Sequence, residues 1–156
     1  MAEAISDAAS SAKKKLQLES LIDKLNPLVE PILKKFSEDA NDAQYFSSYH
    51  FHKEEGRRCW WRCSFVPAPN EKPERGVFAG MHNEATALVR LHNDGDMRLE
   101  WHLPGSNARH DFTQEQLNRL VTAEDFTSDK LQAWLDEFTA GILACRAKQD
   151  KARSRY

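Results

Sequence analysis

No apolar run in the chain approaches the roughly 20 residues that a membrane-spanning helix needs, so a helical membrane protein is not expected. Charge of one sign is lacking too. The formal net charge is −2, which gives no whole-molecule attraction to nucleic acid or to a membrane surface. Cysteine is scarce, with three in the chain. Cys59 and Cys63 lie four positions apart on one expected strand, about 13 Å at strand rise, too far for a disulfide. Reduced, core-packed thiols are therefore expected. Also missing are a G-x-S-x-G elbow, an H-E-x-x-H pair and a glycine loop of the phosphate-cradling kind. No catalytic set is assigned, no cofactor is called for, and no enzyme is expected.

The N-terminal stretch MAEAISDAASSAKKK places its lysines after small residues and before no apolar core of the signal-peptide type. It reads as a frayed tail, residues 1–14, on a cytoplasmic protein. What remains is ordinary for one globular domain: 156 residues, 40% hydrophobic and 29% charged. The domain is assigned to residues 15–150, with a basic C-terminal tail at 151–156.

The most informative stretch is Tyr45 to Phe65. Side chains alternate faces along a strand. The odd positions Tyr45, Tyr49, Phe51, Cys59, Trp61, Cys63 and Phe65 are apolar or aromatic, with Ser47 the exception. The even positions Phe46, Ser48, His50, His52, Arg58, Trp60, Arg62 and Ser64 are mostly polar or basic. A loop of Glu54, Glu55 and Gly56 pairs Lys53 with Arg57, keeps odd opposite odd, and places glycine where a left-handed residue is needed. Residues 85 to 103 repeat the grammar. Ala87, Val89, Leu91, Met97, Leu99, Trp101 and Leu103 share the odd face, and Arg90, Arg98, Glu100 and His102 the even one, with Leu88 the exception. The loop Asn93-Asp94-Gly95 again ends on glycine.

Two helical stripes flank the hairpins. Leu18, Leu21, Ile22, Leu25, Leu28, Val29, Ile32, Leu33 and Phe36 recur at helical spacing. Pro27 and Pro31 interrupt them, and Asn26-Pro27 reads as a cap, so a helix to about Leu25 and a second or kinked segment to about Ser37 are expected. Thr113 with Gln116 forms a capping box for a short helix, with Phe112 and Leu117 as its staple. Phe126 and Leu131 staple a second start around Thr127. The last helix carries Leu131, Trp134, Leu135, Phe138, Ile142 and Cys145 on one side. The proline-rich residues 66–76 read as a loop, 76–81 as a short strand, and 104–107 as the end of the sheet.

These faces combine into one α+β domain of two layers. A mostly antiparallel sheet of four to five strands carries the N-terminal and C-terminal helices on its odd face. The even face is left open. His50, His52, Cys59 and Cys63 resemble a zinc set on paper, but the histidines fall on one face and the cysteines on the other, so no metal is assigned. The candidate binding residues are Phe46, His50, His52, Arg58, Trp60, Arg62, Arg90, Arg98 and His102. A tryptophan among arginines suits a protein interface. The expected function is a non-catalytic protein-binding module of inhibitor, immunity or adaptor type. The alternative is a single-stranded nucleic-acid binder using the same face and the basic C-terminus. No membrane partner is expected, and a homodimer is a further option.

Overall fold

Pro27 and Pro31 do not break the first helix. In the computed structural model, which describes residues 2–74, 83–104 and 110–154 with side chains from residue 8 onward, α1 runs continuously from Ala2 to Asp42. Both prolines stand on the solvent side, so the carbonyls that lose an amide partner face water. Leu18, Leu25, Val29 and Leu33 on the other side are fully buried. That burial holds the helix across two residues whose propensity opposes it. Asn26 is therefore no cap. Its Nδ2 donates to Glu30 at 2.8 Å, and its Oδ1 accepts the indole N–H of Trp61 at 2.9 Å. The helix also starts at Ala2 rather than near residue 15, although residues 8–17 bury nothing.

Strands β1 (Ser47–Glu54), β2 (Arg58–Phe65), β3 (Ala85–His92), β4 (Asp96–His102) and β5 (Asn118–Thr122) form one antiparallel sheet in sequence order. The first register differs by two residues from the expected one. Lys53 pairs with Cys59 and Glu54 with Arg58. Parity survives an even shift, so every side chain keeps its face. The loop becomes Glu55-Gly56-Arg57, closed by the Arg57 N–H donating to the Glu54 carbonyl at 3.1 Å. Gly56 still has a φ of +73°. Two contacts favour this arrangement, one within the hairpin and one from outside it. Glu54 and Arg58 form a cross-strand ion pair, and Asn93 donates to the carbonyls of both Gly56 and Arg57 at 2.9 Å. The second hairpin has the expected register, with Leu91 opposite Met97 and Gly95 at φ +91°.

The odd face is the core. Cys59, Trp61, Cys63, Phe65, Ala87, Val89, Leu91, Met97, Leu99 and Trp101 are buried there. Both long helices reach it. Phe36 of α1 meets Phe65 edge-on at 5.8 Å, and Phe138 of α3 (Ser128–Arg153) meets Phe65 and Trp101, each at 5.7 Å. The six expected stripe residues of α3 are all buried. Thr113 caps α2 (Gln114–Leu117) through the full capping box. The chain then enters β5, which the sequence reading did not anticipate. The strand expected at 76–81 and most of the turn at 104–107 lie outside the described residues.

Burial holds the thiols of Cys59 and Cys63 in their protonated form, pushing Cys59 up to about 12 and Cys63 higher still. Native-state labelling at both should be slow, released only on unfolding; reaction as fast as free cysteine without denaturant contradicts the face assignment. Trp61→Ala should cost about 3 to 5 kcal/mol in denaturant unfolding, as deletions of large core aromatics do. Gly95→Ala should cost about 1 kcal/mol through its left-handed backbone alone, because a Cβ there would meet only Leu21, at 4.0 Å.

Candidate binding face of the sheet

The registers set the even-numbered side chains in rows across the sheet. One row reads His52, Trp60, Arg90, Arg98 and Leu120; the next reads His50, Arg62, Leu88, Glu100 and Asn118; a third includes Ser48, Ser64, Thr86 and His102. With Arg58, which lies in a further even row between Glu54 and His92, eight of the nine candidate residues share one face. Phe46 does not join the cluster around Trp60. It precedes β1, six residues from His52, a separation of about 20 Å along a strand, and its carbonyl accepts from the Val66 N–H at the far end of the hairpin.

Trp60 is half-buried at the centre. His52 stacks on it with ring centroids 4.4 Å apart and planes inclined by 30°. The guanidinium groups of Arg58 and Arg90 lie over the indole at 5.8 and 5.9 Å. Each arginine is tied in turn to a carboxylate. Arg58 grips Glu54 with two bonds of 3.1 and 3.2 Å, and Arg90 Nε donates to Glu100 at 2.8 Å. Arg58 holds the Glu54 carboxyl below the ordinary glutamate range. Glu100 is lowered as well, first by the ring of His102 and then by Arg90, against an opposing desolvation.

Arg98 makes one long contact, to Asn118 at 3.5 Å. Arg62 is exposed and has no ion-pair partner among the described residues. Leu88 is 7% exposed although it lies on this face, set in register between Arg62 and Glu100. The described part of the proline-rich loop does not cover Trp60. The Asn70 N–H donates to the Gln44 carbonyl at 2.8 Å and Glu71 pairs with Arg146 of α3, which holds the loop on the helix side.

The zinc-like set of the sequence is not brought together. His50 and His52 project from the even face while Cys59 and Cys63 are buried on the odd one, and no three His, Cys, Asp or Glu side chains among the described residues converge as a metal site. Sequence reasoning missed a groove of about 660 Å³ between α1 and α3, floored by Phe36, Tyr45, Phe65 and Leu143. Leu143 falls outside the buried stripe of α3, and the splay of two helices has no local sequence signal.

No family model matches the chain, and neither a curated protein nor a solved structure matches it.

The Glu100 shift gives a pH prediction. A carboxyl lowered in the folded state contributes stability that is present above the ordinary glutamate range and lost as pH falls through its folded value. In urea unfolding, Glu100→Gln should lie below the parent at neutral pH. The gap should close as pH falls below the ordinary glutamate range and through the lowered folded value; a gap that persists contradicts the pairing.

Proposed function

We propose that this chain is a non-catalytic interaction protein that binds another protein through the even face of its sheet, in the manner of an inhibitor, an immunity protein or an adaptor. The observation that carries this reading is the Trp60 cluster. A half-buried indole is held between His52, Arg58 and Arg90, on strands rather than loops, with both arginines neutralised by Glu54 and Glu100. Tryptophan and arginine are the residues that dominate protein interfaces when packed in this way. Side chains already ordered lose little further freedom on binding. Guanidinium groups committed to carboxylates are poorly disposed toward phosphates, which weighs against nucleic acid.

Arg62 and Arg98 favour the second reading. Arg98 stands in the Trp60 row and Arg62 in the next, neither in an ion pair among the described residues, and α3 ends on Lys151 and Arg153. A single strand stacked on Trp60 with its phosphates on these groups is the alternative. A homodimer through the same face is a variant of the first.

The discriminating experiment is recovery of the partner from the host, with and without nuclease, followed by titration of the purified pair. Trp60→Ala should leave unfolding nearly unchanged and weaken binding by about 2 kcal/mol or more. Affinity for a protein should change little between about 50 and 200 mM salt, whereas a nucleic-acid complex should weaken steeply over that range. Unfolding on Trp60→Ala, or partner binding indifferent to it, contradicts the proposal.

A further inference from the structure

Strand β5 ends the sheet, and no strand among the described residues pairs with its outer side. Such an edge carries a row of backbone N–H and C=O groups without ladder partners. Asn118–Thr122 contains no proline to block it, and Leu120 stands 63% exposed on the even face. A groove of about 610 Å³, which Leu120 also borders, separates β5 from α3. Its floor is Leu99, Val121 and Trp134. Its helical wall is Lys130, Ala133, Trp134 and Glu137, one face of α3 at i, i+3, i+4 and i+7.

Hydrogen bonding in the groove is lopsided. Trp134 is 1% exposed, and its Nε1 and the Nε of Arg119 are buried without a partner among the described residues. Lys130 Nζ donates to the Asp125 carbonyl at 2.8 Å rather than to an acid. Of the two carboxylates in the lining, Asp125 accepts from the Thr122 hydroxyl at 2.8 Å and Glu137 faces Arg119 at 3.5 Å. Donors are left over. They sit beside the second and third turns of α3, where Trp134 and Glu137 lie.

We propose that β5 and this groove form a peptide-binding site. An extended segment of a partner protein adds to β5 as a sixth strand, seats an apolar side chain between Val121 and Trp134, and turns an acidic side chain toward Arg119. One added strand answers three separate features. It supplies ladder partners to the edge. Its side chains on one face cover Leu120. Because side chains alternate, those on the other face fill the groove. The site lies apart from Trp60: Leu120 shares its row but stands three strands away, at the sheet edge.

The test uses the full chain as bait for a phage-displayed library of randomised octapeptides. Enriched peptides are then synthesised with a fluorescent label and titrated by anisotropy. They should alternate apolar and polar positions and carry an acid. Ala133→Trp fills the groove from an exposed helical position and should weaken them by about tenfold or more. Trp60→Ala should leave them unchanged. N-methylation of the peptide backbone at alternate amides should abolish binding in one phase of the alternation and not in the other. Bound peptide should slow hydrogen exchange within residues 118–122. Failure to enrich, or peptides indifferent to Ala133→Trp, overturns the site. A chain that sediments as a dimer, and becomes monomeric on Ala133→Trp, also overturns it, because the occupant is then a second copy.

Discussion

The burial of Trp61 is the constraint on which the rest depends. Its side chain is fully buried between the sheet and α1, its indole N–H is accepted by Asn26, and Phe51 lies against it at 5.4 Å. An aromatic of this size removes about 150 to 250 Å² from water, worth about 4 to 6 kcal/mol at the usual coefficient. Leaving its N–H unpaired would cost about 1 to 3 kcal/mol, so Asn26 does more than fill space. The contact fixes where α1 crosses β2 and which side of β2 faces inward. Trp60 then has to face outward. A slip of one residue would exchange the two tryptophans and turn every arginine of that strand toward the core.

That alternation explains why the faces were legible in the sequence and the pairing of the first hairpin was not. Apolar residues at 59, 61, 63 and 65 define a face whatever the loop does. The choice between Lys53 opposite Arg57 and Lys53 opposite Cys59 depends on the Glu54–Arg58 ion pair and on Asn93 reaching across from the second hairpin. Neither is local. The second loop, with Asp94 accepting from the Asp96 N–H at 2.9 Å, carries its own turn chemistry and was legible outright. Pro27 and Pro31 misled for a related reason. They report a local preference, and the buried row from Leu18 to Leu33 overrides it. Strand β5 was hidden because Leu120 and Val121 are apolar on opposite faces, which no period-two pattern announces.

The candidate face was legible as a set of residues and not as a balance of charge. The sequence shows arginines and histidines sharing a parity. It does not show that Arg58 and Arg90 are already spoken for by Glu54 and Glu100, or that their guanidinium groups lie over the indole they flank. The cluster is held by its own ion pairs. Phe46 belonged to the set by parity alone and is excluded by its distance along the strand.

The account rests on Trp60 facing solvent while Trp61 is sealed beneath α1. Hydroxyl-radical footprinting of the native chain, read residue by residue by tandem mass spectrometry, tests this directly. Oxidation should appear at Trp60 and at the exposed rings of Phe46 and Phe51, with Trp61, Trp101 and Trp134 protected until the chain is unfolded. Oxidation of Trp61 at the rate of Trp60 in the folded chain would contradict the register, the core and the binding face together.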